Sequence, residues 1–277
     1  MGSSRPEPGP EILPPDPGYQ PAPPPARRQR PSWASAPATY FLVGINCAVF
    51  LAMLASHVSF MSPSSTDLLS WGANNASNVL LGGQWWRIVT AMFVHVGIIH
   101  LATNMWCLWN LGLLAEPLMG SLGMLSVYIL TGAAGNVLST CVNWVWPNHD
   151  PNGILWYPVG AGASGAVFGI AGALIVLLKS PRLPVPPQEL KRLRQSVIYF
   201  AAINLVIGIG TIIPGSPVRI DNMAHLGGFS CGLLFAAPMV PRIGTSKDLF
   251  TLRLRVAIFM VIGILVLFGF FVSKLAG

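Results

Sequence analysis

Long apolar stretches recur along the chain at residues 38–60, 96–115, 117–142, 164–179, 196–214, 222–240 and 254–273, with polar segments between them. A hydrocarbon core about 30 Å thick is crossed by about 20 apolar residues in a helix, and all seven stretches reach or approach that length. They are continuously apolar and lack the alternation of an outer-membrane barrel strand. A spanning helix pairs its own backbone N–H and C=O groups, so the pattern predicts an all-α polytopic membrane protein. The border between the second and third stretches is soft, marked only by Glu116 and the turn pair Gly120-Ser121.

Composition strengthens this reading. Only 9% of the 277 residues are charged and 53% are hydrophobic, whereas a soluble domain carries about 25% charged residues. The mean hydropathy is +0.61. A net charge of +7 would point to nucleic acid in a soluble protein, but here its distribution points to orientation. With the N-terminus cytoplasmic and seven crossings, 13 of the 16 Lys and Arg residues fall inside. They are Arg5, Arg27, Arg28 and Arg30; Lys179, Arg182, Lys191, Arg192 and Arg194; and Arg242, Lys247, Arg253 and Arg255. Only Arg87, Arg219 and Lys274 remain outside, as the positive-inside bias requires. The expected partner is therefore the lipid bilayer, with no nucleic acid.

The organisation follows. Residues 1–37 hold 12 of the 25 prolines and read as a disordered Pro-rich cytoplasmic tail. The tail has no apolar core of a signal peptide, and Pro6 stands where a myristoylation motif needs Ser or Thr. Residues 38–240 form a core of six transmembrane helices, and 241–277 a cytoplasmic loop with a seventh. Cys47, Cys107, Cys141 and Cys231 are scattered, without a CxxC pair, and read as small buried side chains. The outer loops, about 61–95 and 143–163, carry Trp71, Trp85, Trp86, Trp144, Trp146 and Trp156, residues suited to the headgroup boundary.

Polar groups in membrane helices are functional candidates by default, and three clusters stand out. They are His95, His100 and Asn104; Gly160-Ala161-Gly162-Ala163-Ser164-Gly165; and Asp221, Asn222 and His225. The derived topology puts all three at the outer ends of their helices. Ser164 stands 15 residues before Lys179, roughly 22 Å by helical rise. His225 stands 17 before Arg242, about 26 Å by the same rise. Both then lie below the outer surface at comparable depth, and a cavity from that face must bring them water.

Gly165, Gly169 and Ala173 form one stripe of small residues, and Gly228 and Gly232 another. Such stripes let helix backbones approach closely in lipid; they serve plain helix association equally well. If the two faces meet, Ser164 and His225 are drawn together. A serine hydroxyl needs an adjacent base to become a nucleophile, and neutral imidazole suits that role. The Gly-rich turn would put Ser164 at a helix N-terminus, where open N–H groups favour negative charge. The Ser164 N–H with the side chains of His100 and Asn104, four residues apart on one face, could hold an oxyanion. His100 and Asn104 could instead be polar residues with a purely structural part, and His95 an interfacial one. Asp221 reads as a helix cap rather than a third catalytic member, and His57 and His149 as solvated.

At these residues the chain resembles the rhomboid family of intramembrane serine proteases. The nucleophile motif stands as Gly162-Ala163-Ser164-Gly165, the His-x-x-x-Asn motif as His100 and Asn104, and the Ala-His-x-x-Gly-x-x-x-Gly motif as Ala224, His225, Gly228 and Gly232. The outer loop's Trp-Arg stands as Trp86-Arg87, and the resemblance spans roughly residues 70–240. It implies a rhomboid-like bundle of six core helices plus one C-terminal helix, and a Ser164–His225 dyad without a catalytic Asp. Phe168 would stack on the imidazole, and the first loop would be structural. Gln84 stands where many members carry Glu, which leaves a charge contact there open. The implied substrates are transmembrane proteins, cut near the outer end of a helix that unwinds into the cavity. The expected setting is a multi-pass protein of a bacterial inner membrane, its active site open to the outer face.

The main rival is a catalytically inactive rhomboid-like protein that binds membrane clients. A transporter would show inverted repeats or midplane charges, and a membrane metalloprotease a motif such as HExxH; neither is present in the sequence. No metal and no cofactor are expected. The natural substrate and the oligomeric state are left open.

Overall fold

The computed structural model describes residues 36–150, 152–211 and 220–275. The expected disordered tail lies, up to residue 35, outside the described residues. Within them all seven apolar stretches are helical. The helices are α1 (Pro37–Ala55), α2 (Ser65–Ser70), α3 (Ala76–Leu80), α4 (Arg87–Thr90), α5 (Ile98–Val145), α6 (Ser164–Leu177), α7 (Pro187–Gly210), α8 (Asn222–Ala236) and α9 (Lys247–Ser273). The class is the expected one: an all-α membrane bundle. By length and composition, α1, α5, α7 and α9 can cross a membrane.

The soft border resolves as a bend. α5 joins the second and third stretches, and its two limbs meet at Gly120, with φ 67° and ψ 166°, a conformation that glycine alone adopts cheaply. Pro117, which cannot donate to the preceding turn, lies just before the bend. Glu116 is therefore not a loop residue. It is buried inside α5 and accepts from the N–H groups of Ala38 (2.9 Å) and Thr39 (2.8 Å), the Thr39 hydroxyl (2.7 Å) and the Ser121 hydroxyl (2.7 Å). A carboxylate at a helix N-terminus meets unpaired donors and the positive end of the dipole. Glu116 thus pins the start of α1 to the bend of α5.

Helix limits differ from the apolar stretches where backbone chemistry overrides hydropathy. α1 ends at Ala55 rather than near residue 60, because His57 (φ 64°) takes the left-handed position of a helix stop. The Val58 N–H reaches Met53 O at 3.1 Å and the His57 N–H reaches Leu54 O at 2.9 Å, the bond pair of a Schellman ending. α7 starts nine residues early, on Pro187 with Glu189 in its first turn, because a polar turn can continue the helix beyond the apolar stretch. A short hairpin, β1 (Asn148–His149) against β2 (Leu155–Trp156), adds strand structure that the pattern did not predict.

α6 is the centre of the molecule, packed most extensively against α8 and α5. All of its residues are buried except Ser164 and Val176, which are half-buried. A helix apolar all round belongs in such a position. α7 and α9 lie outside, each with four buried residues. The first outer loop folds into α2, α3 and α4 around Arg87. The Arg87 guanidinium is buried and donates to Leu69 O (2.7 Å), Ala73 O (2.9 Å) and Gln84 Oε1 (2.5 Å). Gln84 keeps this bond without a charge. The loop is tied, as expected, into a structural unit.

Glu116→Ala would orphan the first donors of α1, and the loss should be about 2 kcal/mol. Thermal unfolding in detergent should show a lowered Tm, with Glu116→Gln, which keeps one acceptor oxygen, falling between the variant and the parent.

Candidate active site

Ser164 is the first residue of α6, and the turn before it is held from two sides. Asn74 and Gly160 exchange both backbone hydrogen bonds at 2.8 Å, and the Gly162 N–H donates to Ala91 O at 2.9 Å. Gly162 has φ 127°, and a Cβ there would collide with the His100 ring. Only glycine satisfies both requirements. α6 starts without a side-chain cap, so the N–H groups of its first turn, Ser164 included, stay open.

His225 sits on the second turn of α8 and is buried, 5% exposed. Its ring stacks on Phe168 with centroids 4.2 Å apart and planes at 12°. Asp221 caps α8: its carboxylate accepts from the Ala224 N–H at 2.9 Å and from the Ser139 hydroxyl. Those bonds use the acid on the start of the helix and on α5. The His225 Nδ1 has no hydrogen-bond partner among the described residues, which agrees with reading Asp221 as a cap. No hydrogen bond joins the Ser164 hydroxyl to the imidazole either. Catalytic pairs are commonly long before substrate binds.

Glycines bring the two helices together. A Cβ at Gly228 would strike the Gly165 carbonyl, one at Gly232 the Gly169 carbonyl, and one at Gly172 the Phe229 carbonyl. A Cβ at Gly165 would lie 3.2 Å from Ala224 O. The backbones of α6 and α8 therefore touch directly from the level of Ser164 and His225 downward, with matched steps of four residues on each helix. Phe168, one turn into α6, faces the His225 ring across this seam.

The third cluster joins less simply. The His100 ring lies against Gly162, two residues before Ser164. Its Nδ1 is buried without a partner among the described residues. Asn104 is buried, and its amide donates to His100 O at 3.0 Å, so one N–H is directed back along its own helix. His95 is fully buried. It precedes α5, so helical spacing does not govern it; its ring centroid is 5.4 Å from that of His100, and Nδ1 meets Phe93 O at 3.3 Å. His57 and His149 are exposed.

Several supporting residues escaped the sequence reading. Asn74 donates to Asn136 O (3.2 Å) and Thr140 (3.0 Å), and Asn136 donates to Ile88 O (2.8 Å). These bonds fasten the first loop and the Gly160 turn to α5. The Asn46 amide donates to the Tyr128 hydroxyl at 2.9 Å deep in the bundle. Asn46 and Asn136 stand in apolar stretches, where their polarity alone was the available signal, and Asn74 stands in the polar outer loop, where it had none.

The family model described as a Rhomboid domain matches residues 82–242, more than half of the chain. The chain belongs to the rhomboid family. It is 31% identical over 79% of its length to "Rhomboid protease GluP" of Bacillus subtilis (strain 168). It is 33% identical over 67% to "RHOMBOID-like protein 6, mitochondrial" of Arabidopsis thaliana, and 31% identical over 72% to "Rhomboid protease AarA" of Providencia stuartii. The chain spans 38%, 54% and 70% of those three proteins in turn. This rhomboid has bacterial and plant relatives, which do not single out a bacterial inner membrane. Family membership and the spanning helices make it an integral multi-pass membrane protein.

The seam in this rhomboid should be intolerant of added carbon. Gly228→Ala puts a methyl into a backbone carbonyl and should lower stability by about 2 kcal/mol. Gly263→Ala, with nothing within 4 Å, should leave it unchanged. Parallel thermal melts of the two variants in one detergent provide the check.

Proposed function

We propose that this rhomboid is an intramembrane serine endopeptidase that cuts transmembrane proteins with a Ser164–His225 dyad. The observation that carries the reading is the stack of His225 on Phe168, one turn from Ser164 at the open start of α6. That two relatives are named rhomboid proteases adds support.

The chemistry divides among few groups. The Ser164 Oγ attacks the scissile carbonyl while His225 takes its proton. The oxyanion that forms is held by the Ser164 N–H with His100 and Asn104, Asn104 using its second amide hydrogen. His225 then protonates the leaving amine, the C–N bond breaks, and water attacks the acyl-enzyme with the imidazole again as base. Phe168 holds the ring in plane, and Gly162, Gly228 and Gly232 permit the approach. Asp221 stays outside the catalytic set, and the reaction uses no metal or cofactor.

The setting follows from charge and length. The N-terminus is cytoplasmic, the core of six helices spans residues 38–240, and residues 241–277 add a loop and a seventh helix. α6 has 14 residues, about 21 Å of rise, less than the ~30 Å core. Ser164 then lies below the outer surface, in a cavity open to that side. The substrates are transmembrane segments that unwind near their outer ends, where their backbone becomes available to a nucleophile.

Purified protein in liposomes should cleave a reporter transmembrane substrate, and Ser164→Ala or His225→Ala should reduce the rate at least 1000-fold, the scale of losing a catalytic-triad member. A fluorophosphonate should label the parent protein and not Ser164→Ala. Parent activity equal to that of Ser164→Ala would sink the proposal and favour an inactive client-binding rhomboid.

A further inference from the structure

Asn222 is the first residue of α8 and stands one turn before His225. It is only 8% exposed, yet among the described residues neither Oδ1 nor Nδ2 has a hydrogen-bond partner, and both atoms are buried. Other buried amides around the site are engaged: Asn74 with Asn136 and Thr140, Asn136 with Ile88, and Asn104 with His100. Buried polar groups without partners are rare and ask for a reason. A residue kept only for folding would gain by being apolar at this position.

The place of the amide supplies a reason. It lies against Gly208 of α7, where a Cβ would be 3.0 Å from Asn222 Cγ and 3.2 Å from Nδ2. One turn deeper on each helix, Leu205 and His225 help to wall an apolar cavity of about 200 Å³ between α6, α7 and α8, with Phe168, Ile198 and Phe229. Asn222 itself does not line this cavity; it lies one turn before the lining residue His225 on α8. α7 is lightly held there, with Leu190, Val197, Ala201 and Gly208 as its buried residues. The structure thus has a polar, uncharged group, unpaired among the described residues, one turn along α8 from the wall of an apolar chamber and from the imidazole that lines it.

We infer that Asn222 is a substrate-binding residue whose side-chain amide pairs with a main-chain peptide group of the segment to be cut. The inference rests on the protease reading above. A primary amide offers one acceptor and two donors, which suit the N–H and C=O of a single extended residue. A membrane helix that unwinds exposes such groups where lipid cannot satisfy them, so the enzyme must. The peptide takes the space that Gly208 now fills against the amide. Recognition of this kind is blind to side chains and selects only for unwound backbone. An apolar wall then takes the neighbouring side chains.

The test compares wild type, Asn222→Leu and Asn222→Ala on two reactions: cleavage of a reporter transmembrane substrate in liposomes, and the rate of fluorophosphonate labelling. Labelling reads the Ser164–His225 chemistry without a peptide. The expected result is KM raised about tenfold for both variants, with kcat and labelling near wild type. A synthetic transmembrane substrate methylated at successive backbone nitrogens should contain one position that weakens wild type and leaves Asn222→Leu indifferent. Unchanged KM in both variants overturns the inference. Parallel loss of labelling and cleavage also overturns it, since Asn222 would then shape the catalytic groups. A wild type that is neither labelled nor active removes the protease reading itself, and the inference falls with it.

Discussion

Direct contact between the backbones of α6 and α8 is the constraint on which the site depends. In lipid, helices gain nothing from hiding apolar surface from one another, so association must come from close van der Waals approach and polar ties. Gly165, Gly169 and Gly172 on one helix meet Ala224, Gly228, Phe229 and Gly232 on the other with no room for a side chain between them. That separation lets the Phe168 ring lie 4.2 Å from that of His225. It also carries Ser164 and His225 to the same end of the seam. Larger residues would preserve both helices and lose the arrangement.

Around this seam the polar residues act as fasteners. Arg87 collects three acceptors in the first loop, Asn74 and Asn136 bind that loop to α5, and Asn74 also fixes Gly160. Asp221 ties the start of α8 to Ser139 of α5. The turn before Ser164 and the first turn of α8 are thus held by bonds to the same long helix. An unpaired polar group is costly in an apolar interior, so each satisfied one also specifies which neighbours are correct. Against this background of paired amides, Asn222 stands out.

Much of the molecule was legible in the chain. Hydropathy located every apolar helix, the Gly-Ala-Ser-Gly run placed Ser164 at a helix start, and Asp221 read correctly as a cap. Four short motifs were enough to name the family. Other residues were misread or passed over for a common reason. Glu116 looked like a divider and anchors α1; Asn46, Asn74 and Asn136 drew no attention. The α1 partners of Glu116 lie 77 and 78 positions away, and the Tyr128 partner of Asn46 82 positions away. No local window contains both ends of such a bond.

The sequence by itself therefore determined the local properties: which segments prefer lipid, where helices start, and which residues carry reactive groups. These follow from side-chain transfer energies and backbone conformational limits, which each residue carries with it. The tertiary structure decided adjacency. Whether α6 lies against α8, whether an asparagine finds a partner, and whether α7 covers Asn222 depend on competition among whole helices for the same surfaces. Glycine stripes permit several pairings, and only the assembled bundle chooses among them.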